Sequence, residues 1–432
     1  MKKRTLTTTT GIGLVIANMI GAGVLLSTGF MAQEMGPGAI LAAWVVGTAV
    51  ALCGAWAYSG VAQAVAESGG EYRYLSRLLH PLLGYLAGWG SLVLGFSAPI
   101  AIDALAIGYF VNTLTDGPEP RVLGTVVILL LTATQAISLR WAKYSQNLLV
   151  AIKITMLLVF VVLALLLSDH QWPSWSPPSG GTGFPWRALV KNQFWIAFAF
   201  SGWNAVIYAS GEFQKPRRQV PRAMLLGCSF VALVYLLLNW VFVANITAEQ
   251  AQAVFSYEET RVTLGHLIGV NLFGVRGGQA LSVFVIIAFI SAISAMTMVG
   301  PRVYAAMARD GYLPRALIGK DDRPPLASVV LQSVVALILL HTHTLLEAVE
   351  ATSSFLMVFS ALTAISLFRV RAVDPTLPAP RRSQLVAAVL YAGAVLCILT
   401  VGLRLSTSHW LSLGGVILAA SITFLITRNK NR

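Results

Sequence analysis

The chain has 432 residues, of which 56% are hydrophobic and only 11% are charged, and its mean hydropathy is +0.74. These values exclude a soluble globular protein and a disordered chain, and they indicate a polytopic membrane protein. The formal net charge is +13. The three cysteines lie far apart in apolar runs, so their spacing indicates neither a disulfide framework nor a metal site. We expect no cofactor.

An apolar stretch at residues 11–30 is interrupted near its middle by Gly21, Ala22 and Gly23. Three small residues at mid-membrane depth favour a break in the helix and leave room for another molecule to reach the backbone. The amides at such a break can bind an anion, because the following half-helix points its positive end at the gap. The alternative is a glycine seam for close helix packing. These residues alone leave both interpretations open.

Apolar segments of spanning length recur along the chain and predict about twelve transmembrane helices. They lie at roughly 8–32, 37–66, 82–112, 121–139, 146–168, 190–211, 223–245, 274–300, 326–343, 346–368, 384–403 and 409–427. The two termini and the connections that share their side of the membrane together carry 23 of the 30 lysines and arginines. By the positive-inside rule, both termini are cytoplasmic. The positive charge therefore reflects topology and contact with the lipid bilayer, and we expect no nucleic-acid partner.

A second interruption falls in the sixth segment, where Ser201 and Gly202 follow an aromatic run. Segments one and six occupy corresponding places if the first ten helices form two inverted five-helix repeats. A pair of interrupted helices in corresponding positions indicates the midplane site of a transporter, which favours the binding interpretation of Gly21–Gly23. We predict a single membrane domain over residues 1–432, with inverted repeats at about 8–168 and 190–368 and additional helices at about 384–427.

Four motifs in this order and spacing resemble the amino acid–polyamine–organocation superfamily of permeases, most closely its L-type amino acid transporter-like members. They are Asn18-Met19-Ile20-Gly21-Ala22-Gly23-Val24 with Gly36-Pro37-Gly38; Ser68-Gly69-Gly70-Glu71-Tyr72 with Tyr74-Leu75 and Gly88-Trp89; Gly211-Glu212 with Lys215-Pro216 and Val220-Pro221-Arg222-Ala223; and Arg302-Val303-Tyr304-Ala305 with Ala308-Arg309-Asp310-Gly311-Tyr312-Leu313-Pro314. The resemblance implies an all-α, LeuT-like fold, with a five-plus-five inverted repeat and two additional C-terminal helices. It also implies alternating access, in which a bundle rocks against a scaffold.

The resemblance further implies a substrate site at the broken helices. In the family, the substrate α-carboxylate is held by backbone amides at the helix-one break, which here belong to Gly21, Ala22 and Gly23. The α-ammonium is held by carbonyls at the ends of the broken helices, here those of Met19 and Ser201. Two opposite helix ends match a zwitterion, so side-chain charges are not required.

Several residues near this predicted site have more than one interpretation. Gly202 allows the break in helix six, and Phe198 or Trp203 closes over the substrate, unless these aromatic residues serve only packing. Met296 on helix eight lines the side-chain pocket, or packs as most methionines in membrane helices do. Asn204 stands where some amine antiporters of the family carry an acid, which argues against coupling at that position.

Two ionisable residues lie inside predicted helices. Lys153 on helix five either finds partners in the bundle or snorkels to the inner interface. Sodium-independent relatives carry a helix-five lysine where sodium-coupled relatives bind sodium. The resemblance therefore implies that Lys153 contacts the helix-one break and that transport is independent of sodium. Asp103 on helix three titrates with a transported proton, faces the amine of a basic substrate, or pairs with polar groups of the bundle, and we favour the last.

The sequence thus predicts a sodium-independent permease for neutral amino acids, in the inner or plasma membrane, that works by exchange or uniport. The alternative is a permease or exporter for amines or amino-acid conjugates, with or without proton coupling. An enzyme would need clustered His, Asp or Glu residues, and a channel would need a continuous polar pore; the sequence indicates neither. The expected partner is a small amino acid substrate, and an accessory subunit is neither indicated nor excluded.

Overall fold

The computed structural model describes residues 6–137, 139–167, 175–177, 183–319 and 325–402, together with 421, 423 and 424. Over these residues the chain is helical, apart from connections and one parallel bridge between Leu6 and Phe213. The α-helices are α1 (Thr8–Met19), α2 (Ala22–Met31), α3 (Pro37–Ala64), α4 (Gly70–Leu78), α5 (Pro81–Gly90), α6 (Ala98–Asn112), α7 (Pro120–Ile137), α8 (Leu139–Leu167), α9 (Trp186–Lys191), α10 (Gln193–Ala199), α11 (Ala205–Tyr208), α12 (Pro216–Ala244), α13 (Ala248–Ser256), α14 (Glu258–Val262), α15 (Leu264–Val299), α16 (Pro301–Arg309), α17 (Leu326–Thr342), α18 (Leu345–Ile365), α19 (Val370–Val373) and α20 (Arg382–Gly402). A π-helical stretch joins α5 to α6 at Ser91–Ser97, and short 3-10 helices lie at Ser210–Glu212, Arg315–Ile318 and Ser366–Arg369.

The described residues contain eight helical stretches that are long and apolar enough to cross a membrane. They are Thr8–Met31, Pro37–Ala64, Pro81–Asn112, Gln146–Leu167, Pro216–Ala244, Leu264–Arg309, Leu345–Val373 and Arg382–Val401. Two shorter apolar helices lie at Pro120–Gln135 and Leu326–Thr342. These helices confirm an all-α, multi-pass membrane protein. The count of twelve stays a prediction, because all of segment 409–427 except residues 421, 423 and 424 lies outside the described residues.

The first span is broken where the sequence predicts a break. α1 ends at Met19 and α2 begins at Ala22, and the backbone between them is extended at Ile20 (φ −78°, ψ 97°) and Gly21 (φ −149°, ψ −153°). The last carbonyls of α1 and the first amides of α2 therefore lack partners within a continuous helix. In an apolar bundle, these polar groups need other donors and acceptors.

The sixth predicted helix is also broken, between the end of α10 at Ala199 and the start of α11 at Ala205. Gly202 has a φ of +94°, in the region that glycine adopts at little cost. A Cβ atom at Gly202 would lie 2.8 Å from the carbonyl oxygen of Asn18, so the chain there runs directly against α1. The two broken helices are therefore in contact with each other at their interruptions.

The helices packed around the first span bring side chains to its break. α12 packs along α1 and α3, α15 packs along α6 and α8, and α2 lies against α10. A buried aromatic cluster joins three of these segments, with ring centroids 5.7 Å apart for Trp44 and Tyr235 and 5.3 Å apart for Phe200 and Tyr235. This cluster holds α12 against the end of α10, beside the break.

An ion pair connects the segment after helix six to α16. Arg302 donates from Nε to Glu212 Oε1 at 2.6 Å and from Nη2 to Glu212 Oε2 at 3.2 Å, and the two side chains are 21% and 24% exposed. The pair between Arg77 and Glu67 is more exposed, at 41% and 47%. A partly buried, two-point pair is stronger and less screened than an exposed pair.

We expect double-mutant cycles to give different coupling energies for these two ion pairs. Arg302→Gln combined with Glu212→Gln should give a coupling of about 1–2 kcal/mol in the free energy of unfolding in mixed micelles, because both hydrogen bonds carry charge. Arg77→Gln combined with Glu67→Gln should give less than about 0.5 kcal/mol. Equal coupling at the two pairs would contradict this assignment.

Candidate functional site

Lys153 lies fully buried on α8 and reaches the C-terminal end of α1. Its ammonium Nζ donates to the carbonyl oxygen of Ile20 at 2.7 Å and to that of Ala17 at 3.1 Å. These carbonyls lie at the negative end of the α1 dipole, so a cation is the partner that this helix end favours. The predicted contact between Lys153 and the helix-one break is therefore present, and the lysine does not snorkel to an interface.

Asp103 on α6 reaches the opposite side of the same break. Its Oδ1 accepts a hydrogen bond from the backbone N–H of Ala22 at 2.9 Å, and the residue is 3% exposed. The amide of Ala22 lies at the positive end of the α2 dipole, which favours a carboxylate. The partner of Asp103 is thus a polar group of the bundle, as we favoured, but that group is one of the amides expected to hold a substrate carboxylate.

Tyr235 on α12 is a contributor that the sequence analysis missed. Its hydroxyl lies 2.6 Å from the carbonyl oxygen of Met19 and 3.0 Å from that of Ala199, so it bridges the ends of the two broken helices. The signal in the sequence is weak, because a single tyrosine in an apolar span is usually a packing residue. Its partners belong to segments far away in sequence, and only the fold brings them together.

Gly21 and Gly23 have different surroundings. A Cβ atom at Gly21 would lie 3.3 Å from both carboxylate oxygens of Asp103, so Gly21 faces the polar side of the break. A Cβ atom at Gly23 would overlap the backbone of Ala199 at the end of α10. The packing interpretation therefore applies to Gly23, whose missing side chain lets the two broken helices touch.

The remaining predicted site residues are not all gathered at the helix-one break. Ser201, Gly202 and Trp203 line a cavity of about 60 Å³ next to the helix-six interruption. The ring of Trp203 packs edge-on against Tyr58 on α3, with centroids 4.7 Å apart, and against Tyr391 on α20 at 6.3 Å. Phe198 on α10 is buried.

Met296 lies on α15, one helical turn after Ala292, which faces the break. A Cβ atom at Gly21 would lie 3.4 Å from Ala292 Cβ, so this part of α15 forms a wall beside the interruption. The carbonyl of Met296 accepts a hydrogen bond from Gln332 Nε2 at 3.2 Å, and its side chain is buried. Across the described residues, no group of three His, Cys, Asp or Glu side chains could hold a metal ion.

The broken first helix thus binds a cationic side chain at its negative end and an anionic side chain at its positive end. A zwitterion carries the same two charges, so the two helix ends at the break also match its carboxylate and its ammonium group. A multi-pass helical bundle with two touching, interrupted helices is the architecture of a membrane transporter rather than of an enzyme.

The chain belongs to the family described as "Amino acid permease", whose family model matches residues 6–426. The human protein "Large neutral amino acids transporter small subunit 2" is 26% identical over 393 residues, which cover 88% of this chain and 72% of the relative. The mouse "Asc-type amino acid transporter 1" is 27% identical over 401 residues, with the same coverage of each chain. The rabbit "b(0,+)-type amino acid transporter 1" is 25% identical over 384 residues, 86% of this chain and 76% of the relative. The protein is therefore a transmembrane amino acid permease of the amino acid–polyamine–organocation superfamily, and not an enzyme.

We expect Gly23→Ala to lower both the apparent Tm and the transport rate, the latter at least about 10-fold, because its methyl group forces the end of α10 away from the break. Gly13→Ala is the matched control in the other half of the same broken span, on α1, since a Cβ atom there meets nothing within 4 Å. That variant should transport normally and be stabilised by up to about 1 kcal/mol, because alanine favours the helix. Thermal unfolding and uptake into proteoliposomes measure both effects, and equal behaviour of the two variants would rule out the close contact.

Proposed function

We propose that this permease moves neutral amino acids without sodium, by exchange or uniport, through alternating access. The observation that carries the proposal is the pair of opposite charges on broken helix one, Lys153 on the carbonyls of Ala17 and Ile20 and Asp103 on the amide of Ala22. These charges balance each other, so a substrate with a neutral side chain leaves no charge unmatched. The name of the human relative, which refers to large neutral amino acids, supports the same substrate class.

The proposed substrate site uses the backbone of both broken helices. The α-carboxylate binds the amides of Gly21, Ala22 and Gly23, and the α-ammonium binds the carbonyls of Met19 and Ser201. In the structure, Asp103 accepts a hydrogen bond from the amide of Ala22, and the hydroxyl of Tyr235 donates one to the carbonyl of Met19. Substrate binding therefore exchanges these internal hydrogen bonds for external ones, at little net cost in unsatisfied backbone groups.

Three side chains complete the proposed pocket. Phe198 and Met296 face the substrate side chain, and Trp203 closes the site from the helix-six interruption. Burial of all three supports an apolar pocket that excludes a charged side chain.

Lys153 supports the absence of sodium coupling. Its ammonium already donates to two backbone carbonyls at the end of α1, which are the kind of oxygen ligands that a sodium ion would need. A fixed positive charge at that position also repels a second cation. We therefore propose that Lys153 performs structurally the role that a bound sodium ion performs in coupled transporters.

We propose the following architecture and membrane topology for the whole chain. Twelve helices form two inverted five-helix repeats, over about residues 8–168 and 190–368, with two additional helices at about 384–427. The protein lies in the inner or plasma membrane with both termini cytoplasmic. The support is the placement of 23 of the 30 lysines and arginines on one side of this topology.

A second candidate function is a permease for amines or amino-acid conjugates, coupled or not to protons. The observation that favours it is Asp103, whose carboxylate lies at the break and not elsewhere in the bundle. There it can serve as the counter-ion of an amine, or it can release the amide of Ala22 when it takes up a proton.

We expect proteoliposomes in sodium-free buffer to take up radiolabelled L-leucine, because Lys153 replaces the cation at helix one. An exchanger requires unlabelled amino acid inside the vesicles, whereas a uniporter does not. Adding sodium should change the rate by less than about two-fold. Uptake that depends on a sodium gradient would contradict the role given to Lys153, and transport of amines without amino acids would support the second candidate.

Asp103→Asn distinguishes the two candidate functions at the level of binding. The substrate carboxylate competes with Asp103 for the amide of Ala22, so removal of the charge should tighten L-leucine binding about 10-fold. The affinity for 3-methylbutylamine, which lacks the carboxylate, should not improve. Asp116→Asn, at an exposed loop position, is the control. Loss of amine binding with unchanged leucine binding would favour the amine permease.

A further inference from the structure

A second buried acid lies away from the helix-one break. Glu71, on α4 between the second and third spans, is 1% exposed. Its Oε1 accepts hydrogen bonds from the hydroxyl of Tyr58 at 2.5 Å and from Nδ2 of Asn204 at 3.2 Å. Its Oε2 is buried and has no hydrogen-bond partner among the described residues.

Glu71 also lines the 60 Å³ cavity beside the helix-six interruption. That volume is enough for water, since about 10–15 Å³ suffices for one molecule. The cavity walls combine Asn204, Ser201, Ser360 and Tyr391 with apolar side chains. The carboxyl group of Glu71 therefore borders a space that can hold water.

No positive charge compensates Glu71 among the described residues that face it. The facing titratable groups are the tyrosines Tyr58 on α3, Tyr74 on α4, Tyr208 on α11 and Tyr391 on α20. The charged residues of the elements packed against α4 are engaged elsewhere or exposed: Arg73 pairs with Asp310, Arg77 pairs with Glu67, Arg302 pairs with Glu212, and Arg309 and Arg369 are exposed. Tyr304 on α16 gives its hydroxyl to Gln332, and Tyr85 on α5 bonds to Thr423.

A buried carboxylate without a counter-ion is costly, whereas burial of the neutral acid costs much less free energy. Oε1 already receives two donors, so the proton of the neutral acid belongs on Oε2, the atom without a partner. Burial raises the pKa of Glu71 to about 7, against the smaller lowering effects of its hydrogen bonds to Tyr58 and Asn204. The group therefore titrates in the physiological range of pH.

Glu71 is connected to the helix-six interruption through Asn204. This asparagine lies two residues after Gly202, whose backbone passes against Asn18 on α1. Ionisation of Glu71 strengthens its attraction for the donors Asn204 and Tyr58 and draws water into the cavity. The position of Asn204, and of the interruption that ends at it, therefore depends on the charge of Glu71.

We propose that the Glu71 carboxyl is a proton-binding site, separate from the helix-one break, and that its occupancy sets the position of Asn204 and the helix-six interruption. The ligand is a proton delivered by water in the cavity. This inference does not depend on which substrate the permease carries.

The test uses the purified full chain in lipid nanodiscs without substrate. Infrared difference spectra recorded between about pH 5 and pH 9 follow the carbonyl band of protonated carboxyl groups. We expect a band that disappears with a midpoint near pH 7, is absent from Glu71→Gln and is retained in Glu67→Gln and Asp103→Asn. Absence of any band that depends on Glu71 would overturn the proposal.

Two further variants test the hydrogen bonds of Glu71 and its connection to helix six. Tyr58→Phe removes a donor to the carboxylate, so the midpoint should rise by about one pH unit. Tryptophan fluorescence should change with the same midpoint as the infrared band and lose this change in Trp203→Phe. An unshifted midpoint in Tyr58→Phe contradicts the assigned hydrogen bond, and fluorescence that is independent of Glu71 contradicts the connection to helix six.

The neutral variant also has a defined effect on stability. The folded protein binds a proton at Glu71 up to about pH 7, whereas the unfolded chain releases it near the ordinary value of 4.5, so wild-type stability falls as pH rises between these values. Glu71→Gln should fold, and its stability should not show this fall. The free energy of unfolding of the variant relative to that of the wild type should therefore rise between about pH 5 and pH 7. Failure of Glu71→Gln to fold would count against a neutral native form.

Discussion

The interruption of the first span is the constraint on which the rest of the site depends. Between Met19 and Ala22 the helix leaves backbone groups without helical partners in an apolar bundle. Lys153 and Tyr235 supply donors to the carbonyls, and Asp103 supplies an acceptor to the amide of Ala22. Each of these side chains comes from a different helix. The packing of α6, α8 and α12 around α1 and α2 therefore supplies hydrogen-bond partners to the backbone groups at the break.

The second interruption is joined to the first by direct contact. Gly202 runs against Asn18, Gly23 runs against Ala199, and the hydroxyl of Tyr235 lies between the ends of both helices. A movement at either interruption is therefore transmitted to the other, because neither glycine leaves space for one broken helix to move independently of the other. Through Asn204, the same contact extends to the buried acid Glu71. The proposed substrate site at helix one and the proposed proton site at Glu71 thus belong to one connected unit.

The sequence predicts those parts of the site that depend on local composition. Small residues at Gly21–Gly23 predict the first break, and the contact of Lys153 with it follows from the resemblance to sodium-independent permeases. The role of Tyr235 and the burial of Glu71 could not be predicted, because the groups around them include distant segments that only the packed bundle brings together. For the same reason, the sequence leaves three interpretations of Asp103 open, and only the structure shows its hydrogen bond with the amide of Ala22.

The most direct test of the account is an experimental structure of the full chain with L-leucine bound. The account predicts that the substrate carboxylate accepts hydrogen bonds from the amides of Gly21–Gly23, that Asp103 no longer accepts from Ala22, and that Lys153 keeps its two carbonyls. A structure in which leucine binds elsewhere while the hydrogen bond between Asp103 and Ala22 remains intact would contradict the account.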